Sequence, residues 1–195
     1  MLNYPLNLSF KIAAINPQVR VTDASGQLVA YVKQKAFKLK EDVTVFADEA
    51  QTQPLYRMNA SRILDFNANY AITTPYGQPV GAVFRQGGRS LWKATYTIAD
   101  AAGQQVGLLH EENPWVKVID ALLGEVPVVG IFSGYFFNPA YLLDLRGQTV
   151  FYLQKQPAFL EGKFTLERRG EFQPHEEGLL ICSTIMALML ERARG

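Results

Sequence analysis

The chain has 195 residues, 48% of them hydrophobic, with 19 Lys plus Arg against 18 Asp plus Glu and a formal net charge of +1. That composition excludes a disordered chain, and the balanced charge excludes a surface that is basic throughout; nucleic acid is not an expected partner. The one cysteine, Cys182, excludes an internal disulfide and suits a reducing cytosol.

From the amino terminus, Met1 to Phe10 lacks the basic start and apolar run of a signal peptide. Leu8, Phe10 and Ile12 then alternate with Ser9 and Lys11, the period of a half-buried antiparallel strand. Asp23-Ala-Ser-Gly26 reads as a type I turn closed by a glycine in the left-handed region, reversing one strand into the next. The same pattern recurs at Thr74–Gly77, Asp100–Gly103 and Asp144–Gly147, so the chain is expected to be a set of β-hairpins.

After the first turn comes Tyr31-Val-Lys-Gln-Lys-Ala-Phe-Lys-Leu-Lys40, followed by a strand from Asp42 to Phe46. Val32 and Gln34 are out of step with Phe37 and Leu39, which calls for a bulge or turn near Lys35-Ala36. With that shift Lys33, Lys35, Lys38 and Lys40 all point outward and form a candidate anion-binding patch. Arg85, Arg89 and Lys93 flank Gly87-Gly88, with Arg62 as a candidate neighbour; Arg85 and Arg89 form a second candidate, a phosphate-holding nest at a glycine turn. The plain alternative for both is a solvated strand face and an ordinary hairpin loop.

Trp92, Ala94, Tyr96 and Ile98 alternate with Lys93, Thr95 and Thr97 as a further strand. Asn113-Pro114 caps an expected short helix over Trp115–Leu123, stopped by Gly124. The run from Val126 to Phe137 is apolar with glycines and reads as a buried strand, a packed connection or a docking surface. Phe164 and Leu166 alternate with Lys163, Thr165 and Glu167 as a last strand.

The segment Leu179–Leu190 is apolar on every side except at Ser183 and Thr184. A helix there, about residues 178–192, must be surrounded. Its twelve apolar residues rise about 18 Å, too short for a bilayer, so the surroundings are expected to be protein. The economical arrangement is one domain, residues 1–195: a mainly β fold in which a closed antiparallel barrel of two related halves wraps around this helix. The two halves are suggested by the likeness of Gly26–Leu39 to the stretch that starts at Gly147.

The Tyr31–Lys40 segment, the Asp42–Phe46 strand, the repeated turns and the apolar terminal helix together resemble the tubby-like superfamily, especially LURP-one-related proteins and phospholipid scramblases. The resemblance implies about twelve strands with the helix as axis. Tubby domains bind phosphoinositides through basic residues on the barrel wall, and scramblases are associated with calcium and acylated cysteine clusters; this chain has no cysteine run and no acidic loop of the EF-hand type.

No phosphate loop, no Gly-x-Ser-x-Gly elbow and no metal-ligand spacing is present; His110 and His175 each precede a Glu pair but lie far apart. Cys182 within the apolar helix is expected to be inert. The expectation is a non-enzymatic barrel without cofactor or metal. It is cytoplasmic or peripheral at a membrane, binding anionic phospholipid or phosphoinositide headgroups; the alternative is a soluble protein-interaction scaffold.

Overall fold

The computed structural model describes residues 1–11, 18–33, 42–64, 67–85, 95–112, 140–157 and 161–192. Its twelve strands are β1 (Leu6–Lys11), β2 (Gln18–Thr22), β3 (Leu28–Lys33), β4 (Val43–Phe46), β5 (Pro54–Leu64), β6 (Asn67–Thr73), β7 (Pro79–Arg85), β8 (Thr95–Asp100), β9 (Gln105–Glu111), β10 (Ala140–Leu145), β11 (Gln148–Gln156) and β12 (Glu161–Arg168). Each pairs antiparallel with its neighbour in sequence, and β1 closes on β12, Leu8 opposite Phe164, to make a barrel without a free edge. A 3-10 turn, Pro174–Glu176, leads into the helix α1 (Glu177–Arg192).

The alternation read from the sequence is the alternation of the wall. Leu6, Leu8 and Phe10 are buried on the inward side of β1, and Lys11 faces out. Tyr96 and Ile98 do the same on β8, while Leu143 and Leu145 do so on β10. Ile12, Trp92 and Ala94, assigned to the same patterns, lie outside the described residues. So do the expected Lys35-Ala36 bulge, the Asn113–Leu123 helix and the Val126–Phe137 run.

α1 fills the interior. From Leu179 to Leu190 no residue is more than 7% exposed, and Leu180, Ile185 and Met186 are fully buried. Thr184 is tolerated there because its Oγ1 donates to the Leu180 carbonyl at 2.9 Å, one turn back. The wall meets the helix so closely that two glycines are required by space. A Cβ at Gly178 would lie 2.1 Å from the Tyr56 hydroxyl, and one at Gly81 would lie 2.4 Å from the Ala99 carbonyl and 2.7 Å from Leu179 Cδ1.

Three of the four expected turns are alike. Gly26, Gly77 and Gly103 take φ of 85°, 82° and 79°, and each donates its N–H to the carbonyl three residues back, at 3.0 Å. Asp23 and Asp100 accept two backbone N–H groups through one carboxylate oxygen at 2.9–3.0 Å, and the Thr74 hydroxyl accepts from Gln78 at 3.2 Å. The fourth differs: Arg146 and Gly147 both have positive φ, 51° and 81°, between the paired residues Leu145 and Gln148. This is a two-residue type I′ hairpin. It does not need the Asp144 carboxylate, which turns instead to Thr149 Oγ1, its donor at 2.6 Å, and to His110 Nε2 at 3.0 Å. A further turn of the first kind, at Asp48, carries Gln51 at φ 61° where the others have glycine.

Candidate functional site

An up-and-down barrel has two chemically distinct ends. Even-numbered strands run toward the end where the five turns, the start of α1 and the amino terminus gather. Odd-numbered strands run toward the other, where β1, β3, β5, β7, β9 and β11 lead into segments 12–17, 34–41, 65–66, 86–94, 113–139 and 158–160. These ends are called the turn end and the loop end below.

Lys33 is the last residue of β3 and is exposed at the loop end. Lys35, Lys38 and Lys40 follow it in the β3–β4 connection and lie outside the described residues. Register gives Lys33 other company. It pairs with Gln18 on β2, Gln18 pairs with Lys11 on β1, and Lys11 pairs with Glu161 on β12. Lys11 and Lys33 thus stand two strand spacings apart, about 10 Å, on one rung. Lys163, opposite Ser9 on β12, is exposed one step below. The three lysines form a basic rim over four adjacent strands. Their alternation with apolar residues was readable in the sequence, but the closure of β1 on β12 that joins them was not.

Arg85 is also the last residue of its strand, but it does not join that rim. β7 presents Gly81, Val83 and Arg85 to the interior, so the guanidinium enters the barrel mouth, with its side chain 15% exposed and its Nε 3.7 Å from Glu191 Oε1 on α1. β7 is four strands from β3, roughly 19 Å of sheet. Arg89 lies outside the described residues, as do Lys93 and the side chain of Arg62. The Tyr96 hydroxyl, beside Arg85 in register, donates to the same Glu191 oxygen. Burial first, then the hydrogen bond to Glu191, pushes the Tyr96 phenol well above its ordinary value, so it is a neutral donor at neutral pH.

The arginines of the turn end are neutralised in place. Arg146 makes two bonds to the Glu176 carboxylate, at 2.6 and 3.0 Å, and Arg169 meets Glu167 at 3.1 Å. Arg168 pairs with Glu171 and covers the Phe172 ring at 4.7 Å. Glu177, opening α1, accepts from the Leu2 N–H at 2.9 Å and the Tyr4 hydroxyl at 3.1 Å.

Cys182, His110 and His175 stand in structural settings. Burial pushes the Cys182 thiol well above its ordinary value, so it is not a thiolate. His110 is held by Asp144, and His175 lies in the 3-10 turn. Among the described residues no group of three or more His, Cys, Asp or Glu could hold a metal, and no helix is long and apolar enough to cross a membrane.

Against known proteins, a family model described as LURP-one-related matches residues 28–118, from β3 through β9 and into the connection after it. No curated protein matches the chain. An X-ray structure of a protein from Arabidopsis thaliana aligns over 98% of this chain and 93% of its own, at 12% identity and a TM-score of 0.46. The segment Tyr31–Lys40 and the Asp42–Phe46 strand, on which the resemblance rested, fall inside the matched span. At residues 28–118 the chain carries a LURP-one-related region, of the tubby-like superfamily.

Proposed function

We propose that this protein is a non-enzymatic barrel that docks its loop end on anionic phospholipid or phosphoinositide headgroups. The observation that carries the reading is the rim of exposed lysines, Lys33, Lys11 and Lys163, that register assembles across β3, β2, β1 and β12. α1 occupies the space in which a barrel would enclose a ligand, so recognition falls to the outer surface and the ends. A lysine close to an anionic membrane contributes about 1 kcal/mol, so three give weak, salt-sensitive attachment. Lys35, Lys38, Lys40 and Arg89 follow β3 and β7 in sequence and extend the same reading.

Co-sedimentation with anionic and with neutral vesicles, at low and moderate salt, tests it. Binding to anionic vesicles alone, lost with added salt and in the triple variant Lys11→Glu, Lys33→Glu, Lys163→Glu, is the expected result. Binding that survives the triple reversal removes the rim from the account. Tyr76, 92% exposed at the tip of the β6–β7 turn, favours a second reading, a protein-interaction scaffold. Absence of binding to either vesicle shifts the weight to it.

A further inference from the structure

The turn end differs around its circumference. On the side of β10 to β12 it carries Arg146, Arg168 and Arg169, each paired with a carboxylate. On the other side three neighbouring turns, β4–β5, β6–β7 and β8–β9, take up residues 47–54, 73–80 and 99–106, which contain no lysine or arginine. The three carboxylates in these stretches are engaged. Asp48 accepts the Thr52 and Gln53 N–H groups at 3.1 and 2.7 Å, and Asp100 accepts those of Ala102 and Gln104 at 2.9 Å. Glu49 pairs with Arg20 on β2.

The middle turn carries Tyr76, 92% exposed, the most exposed large hydrophobic side chain among the described residues. A lone exposed aromatic is ordinary, but this one has apolar company. Pro54, Pro79, Ala101 and Ala102 are exposed around it. Continuing the register of β5 on β6, where Arg57 faces Thr73, brings Pro54 level with Tyr76. Continuing that of β7 on β8, where Gly81 faces Asp100, brings Pro79 level with Ala102. The ring is also held ready. Pro75 fixes the backbone before it, Gly77 N–H donates to the Thr74 carbonyl at 3.0 Å, and Thr74 N–H donates to the Gln78 carbonyl at 2.8 Å. An aromatic displayed on a fixed turn loses little freedom when it is covered. A tyrosine amid uncharged exposed residues has the composition of an interface core.

The same features choose the occupant. A two-fold contact sets a patch against its own image. At the loop end, exposed lysines would then face lysines, and beside β10 to β12 the paired arginines would have to be desolvated. The arc of three turns brings no cation to such a contact, and its carboxylates are already bonded within the chain.

We propose that this arc is a self-association surface, through which two copies of the chain meet turn end to turn end about a two-fold axis beside Tyr76. The arc spans five strand spacings, about 24 Å, and offers less area than a standard interface. The dimer is therefore weak and reversible. The proposal rests on the interaction reading of Tyr76 and is independent of the lysine rim, since such a dimer leaves both loop ends open to headgroups.

Sedimentation equilibrium and amide NMR of the full chain, from about 20 µM to about 1 mM, test it. The expected result is a mass that rises toward the dimer, with concentration-dependent shifts at residues 51–54, 76–78 and 101–105. Salt between about 50 and 300 mM should change the association little, because no cation takes part. Tyr76→Ser should weaken it about tenfold, and Gln78→Glu, which sets two carboxylates against each other at the axis, should weaken it further. Both positions are exposed in the turn, and the amide spectra of the variants show that the fold is retained. A monomer throughout the range, shifts centred on the loop end, or an association unchanged in Tyr76→Ser overturns the proposal. Tyr76→Ser should still match the parent in vesicle co-sedimentation, so a failed dimer and a failed lipid reading are told apart.

Discussion

The two ends of this barrel carry similar side chains and use them differently. At the turn end, arginines are matched: Arg146 with Glu176, Arg168 with Glu171, Arg169 with Glu167. Carboxylates there close turns or anchor the amino-terminal segment to α1. At the loop end, Lys11, Lys33 and Lys163 are exposed, and the mouth holds Arg85 and Tyr96 gathered on Glu191 of α1. The matched arginines tie the turn end to itself, whereas the lysines of the loop end are exposed where an outside surface can reach them. The comparison predicts that stability responds to changes at the turn end and along the helix, and that binding responds to changes at the loop end.

The largest effect is expected where both ends depend on the same core. Leu188, 5% exposed on α1, lies within the barrel, and Leu188→Glu buries a charge with no partner, which should abolish folding. A soluble variant with the parental circular dichroism would mean that the helix does not need its enclosure. Gly178→Ala is milder and is confined to the turn end. Its Cβ would lie 2.1 Å from the Tyr56 hydroxyl, so Tyr56 must move, at a cost of about 1–3 kcal/mol in urea denaturation. Adding Tyr56→Leu should recover part of that loss, and no recovery would place the strain elsewhere.

A smaller effect depends on pH. The bond from Arg146, ahead of the burial that opposes it, holds the Glu176 carboxyl below its ordinary value, helped by the Gln173 N–H at 2.8 Å. A carboxylate depressed in the folded state contributes stability above its unfolded pKa, about 4.3, and loses it as pH falls through the folded value. Glu176→Gln should therefore lower the melting temperature at neutral pH by a few degrees, and the gap should close as the solution is acidified below about pH 4. A gap that stays constant with pH would show that the ion pair contributes nothing as a charge pair.

How much of this could be read from the chain follows from what each pattern depends on. Alternation in Leu6–Lys11 or Thr95–Asp100 is a local consequence of one buried face, so the strands were legible. Leu179–Leu190 has no polar stripe, so enclosure of α1 was legible too. Turn geometry was legible only where glycine marks it: Asp48–Gln51 takes the same form with a left-handed glutamine and gives no such mark. Asp144–Gly147 has the marks and another geometry, because strand register allows only two residues between Leu145 and Gln148. The site was the least legible part. Lys33 is joined to Lys11 and Lys163 by pairings between residues far apart in sequence, and Arg85 points inward because the phase of β7 is set by Gly81 and Val83 against the helix. Side-chain type shows that a charge exists, but only register shows which charges meet.

The smallest stability effect is the sharpest test of the comparison. Lys11→Glu and Lys33→Glu alter exposed side chains at strand ends, and exposed substitutions of this kind usually change stability by less than about 0.5 kcal/mol. Lys11 has an interaction of its own within the chain, and Lys33 pairs in register with the neutral Gln18, so Lys11→Glu should be the slightly worse of the two. Urea denaturation should therefore superimpose on the parent for Lys33→Glu and shift marginally for Lys11→Glu, while both weaken attachment to anionic vesicles. If either reversal instead lowers stability as much as Gly178→Ala does, the rim is part of the fold's own support. The division between a stabilising end and a binding end would then not hold.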